Sequence, residues 1–337
     1  MQVTVYGAGS WGTALAFVLA GGGHQVFLCG RRAAEMEEMA RCRENRRYLP
    51  GVILPAAVKP TADEECLTRS EAVVLSVPSH AVRAAAGRLR GLLPAGSIVV
   101  NTAKGLEENT HLRLSEVIRA ELPQHAVAVL SGPSHAEEVG REVPTAVVSA
   151  AADPAVAEAV QDMLMTASFR VYTNLDIIGV ELGGALKNII ALCCGALEGA
   201  ASRDNTKAAL MTRGAAEMAR LGVALGGEQS TFFGLAGIGD LIVTCMSPHS
   251  RNLRAGRLLG TGMPLEQVLA EVGMVVEGVR NTRVARELSR MHGIEAPVTE
   301  QAYRVLFEGL PTEEAMRILM RRGRKHEREE LLRPGAS

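Results

Sequence analysis

Two lysines are the first candidates for chemistry, because each lies in an unusually apolar segment. Lys104 lies in VVNTAKGLE and Lys187 in ELGGALKNIIAL. A lysine in such surroundings can exchange a proton with a reacting oxygen, as reduction of a carbonyl requires. The alternative is a lysine whose stem packs between helices while its amine reaches water.

The neighbours of the two lysines favour a role in a site. Residues three and four positions apart share a helix face, so Gly183 and Gly184 lie beside Lys187 and would let a ligand approach the backbone. Lys104 follows the strand-like run SIVVNTA, and open α/β sheets bind ligands at the carboxyl ends of their strands. We therefore treat both lysines as candidate site residues.

Other strand-like runs end in residues that suit the same edge of the sheet. AVAVL leads into Gly132 and Ser134, where backbone N–H groups can meet cofactor or substrate oxygens. SVPSH is a strand end of the same kind. His80 and His135 are acid–base candidates at these ends, although a lone histidine is more often structural or solvated.

The second half of the chain contains two helix starts with useful side chains. In GLAGIGDLIVTC, Asp240 follows three glycines and either caps a helix or pairs with Lys187 and orients it. In SPHSRNLRAGRLLG, a helix begins near Ser250, Arg251 and Asn252. A hydroxyl, a guanidinium and an amide around free helix N–H groups can bind a phosphate monoester. A capped basic helix is the alternative.

A glycine-rich turn, GAGSWG, spans residues 7–12 directly after the strand-like run VTVY and before a helical stretch. Gly7 permits the tight turn, Gly9 lets the backbone approach a pyrophosphate, and Gly12 lets helix and strand touch. The helix N-terminus then faces the negative charge. This context predicts a dinucleotide-binding loop, with an ordinary strand-to-helix turn as the alternative.

The end of the second strand-like run indicates which dinucleotide binds. NAD binding favours an acidic residue there, but the sequence has Arg31 and Arg32, and the next acid is Glu35. Two guanidinium groups can hold a 2′-phosphate, which favours NADPH and leaves NADH use open. Two solvated arginines at a helix start are the alternative.

These candidates require a scaffold of two domains, as the length of 337 residues also suggests. Between Val3 and Ala150, β-branched runs alternate with alanine-rich helical stretches, which is typical of a parallel sheet covered by helices. After Tyr172 the periodicity becomes helical. We predict an α/β Rossmann domain with a doubly wound, mainly parallel sheet over residues 1–175, and an all-α substrate-binding domain over residues 176–337.

Composition excludes several classes of partner. A net charge of −1 produces no general field for nucleic acid. The longest apolar stretch, near residues 189–197, is too short for a bilayer span, and no leader precedes the first strand, so we expect a cytoplasmic protein without membrane insertion. The six cysteines lack metal-ligand spacing, which indicates buried thiols and no metal site. The charged tail, residues 321–337, indicates a solvated helix end.

Seven segments together resemble the bacterial-type glycerol-3-phosphate dehydrogenases, in order and at comparable spacing over nearly the whole chain. They are GAGSWGTALA, NTAKGLE, SGPSHAEEV, ELGGALKNIIA, GIGDLIVTC, SRNLRAGRLLG and VVEGVRNT. The resemblance implies reversible reduction of dihydroxyacetone phosphate to sn-glycerol 3-phosphate by NADPH or NADH, for glycerophospholipid synthesis. It also implies a small phosphorylated substrate. The oligomeric state stays open, with a homodimer as one candidate.

The same resemblance implies a role for individual residues. Lys187 would be the proton donor and acceptor, and Lys104 and Asp240 would complete the catalytic group. The substrate contacts would be Lys104, Gly132, Ser134, Lys187, Asp240, Ser250, Arg251 and Asn252. The cofactor contacts would be Ser10, Trp11, Arg31, Lys104, Ala136, Arg251, Val275 and Glu277, together with the glycines of the loop and Arg32. Two rivals are a hydroxyacid dehydrogenase that binds a carboxylate and a nucleotide-sensing regulator without catalysis.

Overall fold

A computed structural model describes residues 1–201, 204–324 and 327, and within them the chain forms two compact units. The first unit contains residues 1–107 and 112–177, and the second contains residues 108–111 and the described residues from 178 onward. The short segment 108–111, which the sequence did not single out, thus groups with the second unit. Most of the charged tail interpreted above as a helix end, residues 321–337, lies outside the described residues.

An eight-stranded sheet forms the centre of the first unit. Its strands are β1 (Gln2–Tyr6), β2 (Gln25–Cys29), β3 (Val58–Thr61), β4 (Ala72–Leu75), β5 (Ile98–Asn101), β6 (Ala126–Ser131), β7 (Thr145–Ala150) and β8 (Phe169–Asn174). Their order is β3-β2-β1-β4-β5-β6-β7-β8, so the chain winds outward in both directions from β1. All neighbours pair in parallel except β6 and β7. The predicted fold class is confirmed.

Helices cover both faces of this sheet. They are α1 (Ser10–Gly21), α2 (Ala33–Cys42), α3 (Val82–Leu89), α4 (Leu114–Glu121), α5 (Ala136–Val139) and α6 (Pro154–Leu164). Val74 of β4 packs in one buried cluster with Leu15 of α1, whereas its neighbour Val73 packs in the other cluster with Leu89 of α3. Because successive side chains point to opposite faces, a strand buried on both sides must be apolar throughout, as AVVL is.

Two strands, β3 and β8, were not among the strand-like runs identified in the sequence. Both lie at the edges of the sheet. β3 reads VKPT and includes Pro60, which an edge strand tolerates, and β8 exposes Tyr172. An edge strand is only partly buried, so it lacks the continuous apolar run that identifies a central strand.

The second unit is helical, and no strand is assigned from residue 178 to residue 324 among the described residues. Its helices are α7 (Ile177–Gly199), α8 (Asp204–Ala224), α9 (Gln229–Phe232), α10 (Asp240–Met246), α11 (Arg251–Gly260), α12 (Leu265–Val272), α13 (Glu277–Met291), α14 (Pro297–Phe307) and α15 (Thr312–Met320). A π-helical turn, Leu235–Gly239, leads directly into α10. This agrees with the predicted all-α character.

The helix α7 corrects our estimate of the longest apolar segment. It has 23 residues and contains an 18-residue window with a mean hydropathy of 1.7, so by length and composition it could cross a membrane, as could the stretch Gln229–Met246. The sequence estimate considered only the uncharged run near residues 189–197, whereas the helix continues through Lys187 and Glu181. Its most apolar window is 89% buried, which is the burial of a core helix.

Paired glycines bring α7 and α11 into backbone contact. A Cβ atom on Gly195 would lie 2.1 Å from the carbonyl oxygen of Leu253, and one on Gly256 would lie 2.0 Å from that of Leu192. Gly199 and Gly260 repeat this arrangement one turn further along. No real Cβ atom tolerates such distances, so the glycines determine how closely the two helices approach and where α11 begins relative to α7.

Candidate active site

The glycine-rich turn has the geometry of a pyrophosphate cradle. Gly7 has a φ of 119°, and a Cβ atom there would lie 2.2 Å from the carbonyl oxygen of Ser76 at the end of the neighbouring strand β4. A Cβ on Gly12 would lie 1.9 Å from the Gly7 carbonyl oxygen, whereas a Cβ on Gly9 would meet no described atom within 4 Å. Gly9 is also the N-cap of α1 and provides no capping side chain. The turn therefore fits a ligand phosphate at the helix N-terminus.

Ser10 and Trp11 form the first turn of α1, as expected for residues beside this cradle. The Trp11 ring lies 6.5 Å from the ring of Phe169, centroid to centroid, and its indole Nε1 is buried without a hydrogen-bond partner among the described residues. Indole N–H groups usually find a partner when buried. An acceptor on a ligand bound at this end of α1 would satisfy the buried donor.

A basic cluster lies at the end of β2. Arg31 and Arg32 are exposed there, and Arg32 forms a 2.5 Å ion pair with Glu35. Arg47, which sequence reasoning missed, lies 2.7 Å from the same carboxylate. The Arg32 guanidinium is the main cause of the lowered pKa of Glu35. The three guanidinium groups outnumber the one carboxylate, so the cluster carries a net positive charge. The position of Arg47 along the chain gave no signal that its side chain would lie here.

Lys104, Gly132 and Ser134 come together at the carboxyl ends of the adjacent strands β5 and β6. Lys104 Nζ donates to the Gly132 carbonyl oxygen at 2.9 Å, and Ser134 Oγ donates to the same oxygen at 2.9 Å. Gly132 has a φ of 129°, which favours glycine. Ala136 begins α5 two residues after Ser134, with His135 at the N-cap position. His80 is exposed on a short 3₁₀ turn, Ser79–Ala81.

Lys187 forms a buried ion pair with Asp240. Lys187 is 5% exposed and Asp240 is 1% exposed. Lys187 Nζ donates to Asp240 Oδ1 at 2.8 Å and to Thr244 Oγ1 at 2.5 Å, while the Thr244 hydroxyl donates to the Asp240 carbonyl oxygen at 2.6 Å. The interpretation of Lys187 as a lysine that reaches water is therefore wrong. Thr244 was missed, although its place one turn after Asp240 puts both on one face of α10.

Two expectations about this region need correction. The space beside Gly183 is filled by protein, because a Cβ there would lie 2.7 Å from the carbonyl oxygen of Ala236. Asp240 is not an N-cap: the π-helical turn runs directly into α10, whose N-cap position is Gly239. The close packing of that turn on α7 brings the Asp240 carboxylate to the Lys187 amine.

The start of α11 is more fully bonded than the sequence suggested. Ser250 is its N-cap, and Ser250 Oγ accepts a hydrogen bond from the Leu253 N–H at 3.2 Å. Asn252 is buried, donates to Asn188 Oδ1 at 2.8 Å and accepts from the Gly278 N–H at 2.9 Å. The sequence suggested free N–H groups at this helix start, which was wrong for one of them, because the Leu253 N–H is already bonded to Ser250 Oγ. The capping hydroxyl still has its own proton to donate.

Arg251 connects the start of α11 with the segment before α13. It is exposed, and its Nη1 donates to the Val275 carbonyl oxygen at 3.1 Å. Glu277 is the first residue of α13. Arg251, Val275 and Glu277, which the resemblance grouped as cofactor contacts, therefore lie in one region of the second unit.

Neither a disulfide nor a metal cluster is found among the described residues. The six cysteines are free thiols, and no group of three or more His, Cys, Asp or Glu side chains could hold a metal ion. Cys42, Cys66 and Cys193 are only partly buried, so the expectation of six buried thiols was wrong. Cys42 and Cys66 lie on helical segments of the first unit, whereas Cys193 lies on the buried helix α7 and lines a cavity of the second unit.

Two family models match the chain in succession. The N-terminal model of NAD-dependent glycerol-3-phosphate dehydrogenase matches residues 2–157, and its C-terminal model matches residues 176–317. The chain belongs to the NAD-dependent glycerol-3-phosphate dehydrogenase family. The cradle, Lys104 and Gly132 lie within the first match of this dehydrogenase, and Lys187, Asp240 and Ser250 lie within the second.

Two glycerol-3-phosphate dehydrogenases are similar to this chain over nearly their whole length. The glycerol-3-phosphate dehydrogenase [NAD(P)+] of Desulfitobacterium hafniense is 64% identical over 330 residues, covering 98% of this chain and 94% of the relative. That of Moorella thermoacetica is 60% identical over 327 residues, covering 97% of both. The crystal structure of the Coxiella burnetii glycerol-3-phosphate dehydrogenase is 39% identical, with a TM-score of 0.91, covering 95% of this chain and 99% of that one.

Proposed function

We propose that this glycerol-3-phosphate dehydrogenase reversibly reduces dihydroxyacetone phosphate to sn-glycerol 3-phosphate with NADPH or NADH. The observation that carries the proposal is the buried Lys187 amine, held by Asp240 and Thr244. A buried ion pair is costly to form and is weak evidence for stability. In a dehydrogenase that acts on a carbonyl, a proton donor explains its presence. The names of the 64% and 60% identical relatives support the same reaction.

Most of the proposed cofactor contacts lie in the first unit. The cradle at Gly7, Gly9 and Gly12 would hold the pyrophosphate, with Ser10 and Trp11 beside it. The positive cluster of Arg31, Arg32 and Arg47 supports a preference for NADPH, because guanidinium groups pair with a 2′-phosphate in bidentate geometry. When bound, the nicotinamide supplies or accepts the hydride. Ala136, Val275 and Glu277 remain proposed contacts.

The substrate phosphate would bind at the start of α11. The Ser250 hydroxyl can donate to a phosphate oxygen while it caps the helix, and the exposed Arg251 guanidinium adds charge. Asn252 is already bonded to Asn188 and Gly278, so it would position this turn and offer its remaining amide N–H. Lys104, Gly132 and Ser134 would contact the rest of the substrate.

Lys187 would carry the proton. In reduction, the Lys187 ammonium gives a proton to the carbonyl oxygen as the alkoxide forms; in oxidation, the neutral amine takes the hydroxyl proton. The Asp240 carboxylate stabilises the ammonium and, with Thr244, fixes its direction. A positioned general acid of this kind contributes about 10² to 10⁴ in rate. Lys104 would hold the substrate oxygens and add positive charge.

The proposed reaction leads to further proposals about the domains, the location and the assembly of the enzyme. We propose a Rossmann domain over residues 1–175 for the cofactor and a helical domain over residues 176–337 for the substrate. We also propose a cytoplasmic enzyme, without membrane insertion, that supplies glycerol 3-phosphate to glycerophospholipid synthesis and acts as a homodimer. The burial of α7 supports the absence of membrane insertion.

The direct test is NADPH oxidation in the presence of dihydroxyacetone phosphate, dihydroxyacetone or a 2-oxo acid. We expect turnover with the phosphate ester, far less with dihydroxyacetone and none with the 2-oxo acid. Lys187→Ala should abolish turnover while NADPH still quenches the fluorescence of Trp11, the only tryptophan in the chain. A preference for the 2-oxo acid would support the carboxylate rival, and cofactor binding without any turnover would support the nucleotide sensor.

A further inference from the structure

A short 3₁₀ helix, Glu64–Arg69, crosses the sheet of the first unit between β3 and β4. Because β2 and β1 lie between those two strands in the sheet, the connection passes over both of them. Tyr6 of β1 donates its hydroxyl to Glu64 Oε1 at 2.7 Å. Gln2 of β1 donates from Nε2 to the Cys66 carbonyl oxygen at 3.1 Å. The 3₁₀ helix therefore lies against the face of β1 to which Gln2 and Tyr6 point.

Cys29 and Cys66 meet between β2 and this 3₁₀ helix. Cys29 is the last residue of β2 and pairs with Tyr6 of β1 in the parallel ladder, so both side chains point to the face that the 3₁₀ helix covers. Cys66 packs with Tyr6 against the same hydrophobic cluster. The Cys29 and Cys66 side chains form a hydrogen bond with each other. Two thiols in direct contact are the starting arrangement for a disulfide.

The two thiols differ in exposure and in acidity. Cys29 is 4% exposed, whereas Cys66 is only partly buried. The hydrogen bond with Cys29 is the main cause of the lowered pKa of Cys66, and the negative charge of Asp63 opposes this lowering without reversing it. The same contact, together with burial, raises the pKa of Cys29. Because the thiolate is the reactive form of cysteine, Cys66 is the thiol that reacts first with a dissolved oxidant.

A second pair of cysteines is in contact but lacks this access to solvent. Cys194 of α7 and Cys245 of α10 also share a hydrogen bond, and both side chains are fully buried. A thiol that no dissolved oxidant reaches is inert. Of these two pairs, Cys29 and Cys66 therefore combine contact between the sulfurs with access from solvent.

We propose that Cys29 and Cys66 form a reversible disulfide when hydrogen peroxide oxidises Cys66. The Cys66 thiolate attacks one peroxide oxygen, the O–O bond breaks and hydroxide leaves, so Cys66 becomes a sulfenic acid. The Cys29 sulfur then attacks the Cys66 sulfur, the S–O bond breaks, and the departing hydroxide takes the Cys29 proton as water. In total the two thiols lose two electrons and two protons, and one hydrogen peroxide becomes two water molecules.

The bond would close a loop that contains the basic cluster at the end of β2. The Cys29 carbonyl oxygen accepts a hydrogen bond from the Gly7 N–H at 2.8 Å. On the other side, the Gly30 N–H donates to the Thr61 carbonyl oxygen at 3.0 Å. Neighbouring strands thus hold the end of β2, whereas a 3₁₀ helix has poorer hydrogen-bond geometry. We therefore expect the 3₁₀ helix to adjust to the bond and the glycine-rich cradle to keep its shape.

The test is mass spectrometry of the full-length protein after treatment with hydrogen peroxide and blocking of the remaining thiols. We expect a linked pair of peptides that contains Cys29 and Cys66 and has lost the mass of two hydrogen atoms, and we expect dithiothreitol to reverse the change. Because the closed loop restricts the unfolded chain, the oxidised protein should unfold about 5–10 °C above the reduced protein. NADPH should quench Trp11 fluorescence equally in both forms.

Three variants separate the roles of the two thiols. In Cys29→Ser no second thiol is in contact with Cys66, so peroxide should carry Cys66 to the sulfinic acid, which dithiothreitol does not reverse. In Cys66→Ser the same dose should leave the buried Cys29 unmodified. Cys42→Ser removes another partly buried thiol, on α2, and is the matched control that should still form the bond. Thermal unfolding of the reduced variants checks folding, and Cys29→Ala replaces Cys29→Ser if the buried hydroxyl prevents folding.

Several results would overturn the proposal. Absence of the linked peptides would do so, as would a bond between two chains or between another pair of cysteines. Passage of Cys66 to the sulfinic acid as fast in the unchanged protein as in Cys29→Ser would show that Cys29 does not trap the sulfenic acid. Oxidation of Cys29 in Cys66→Ser at the unchanged rate would refute Cys66 as the first thiol. None of these readouts uses turnover, so the result is independent of the proposed reaction.

Discussion

Asp240→Asn tests the proposed mechanism most directly, because it removes a charge and preserves shape. Asp240 is 1% exposed and lies 2.8 Å from Lys187 Nζ, so solvent does little to screen the pair. With an effective dielectric constant of about 20, the attraction at this distance is of order 6 kcal/mol. The asparagine carbonyl can still accept the hydrogen bond. We therefore expect the charged form of the Lys187 amine to be destabilised by about 3–5 kcal/mol.

Loss of the Asp240 carboxylate should slow the reduction of dihydroxyacetone phosphate. Without the carboxylate, a buried ammonium is disfavoured relative to the neutral amine, so less of the enzyme carries the proton that reduction needs. A destabilisation of this size lowers the pKa of the Lys187 amine toward neutrality, so we expect the turnover number for dihydroxyacetone phosphate reduction to fall several-fold at pH 7 and much further at pH 9. Lowering the pH restores the ammonium, so the variant should recover activity as the pH falls, more steeply than the unchanged protein does.

The assay is NADPH oxidation at saturating substrate across a pH series. Trp11 fluorescence and thermal unfolding serve as controls for cofactor binding and folding. Asp162→Asn, an exposed aspartate on α6, controls for the substitution itself. If Asp240→Asn folds, binds NADPH and turns over at the unchanged rate with the unchanged pH profile, Asp240 does not sustain the charge on Lys187 and the proposed proton transfer is wrong.

Three further predictions concern the phosphate, the cofactor and the packing of α7. Arg251→Gln should raise the KM for dihydroxyacetone phosphate about 10- to 100-fold through loss of a charged hydrogen bond, and leave kinetics with dihydroxyacetone unchanged; an equal effect on both would refute phosphate binding. Arg31→Gln should weaken NADPH binding, measured by Trp11 fluorescence, and spare NADH. Gly195→Ala should lower the free energy of unfolding by about 1–3 kcal/mol, because its Cβ would meet the Leu253 carbonyl oxygen, as denaturant titration would show. Gly21→Ala, whose Cβ would meet nothing described within 4 Å, is its control and should not destabilise.

The features that sequence reasoning recovered are those with local causes. The GAGSWG turn could be predicted because the strand, glycines and helix that define it are contiguous. The lysine candidates could be predicted because a charged residue within an apolar stretch is visible without any tertiary information. The α/β fold class followed from the alternation of β-branched runs and helical stretches, which reflects burial of the central strands on both faces.

Features that depend on contacts between distant segments were missed. Arg47 reaches the end of β2 only because of the chain's path between α2 and β3, and Thr244 reaches Lys187 only because α10 packs on α7. The packing of the Ala236 carbonyl against Gly183 shows the same limit, since a glycine leaves space for a ligand or for a neighbouring backbone. Sequence alone does not tell which of the two fills it.

Two consecutive residues of α7 link the proposed chemistry of the second unit. Lys187 bonds to Asp240 on α10, while Asn188 bonds to Asn252 on α11, whose side chain also accepts from the Gly278 N–H at the start of α13. The proton donor and the proposed phosphate site are thus held by adjacent positions of one buried helix, and the glycines that pack α7 on α11 limit any sliding between them. A proton donor must lie within hydrogen-bond reach of the reacting oxygen, at a set distance from the phosphate of the same molecule. Placing both functions on one helix and its tightly packed neighbour satisfies that requirement before any substrate binds.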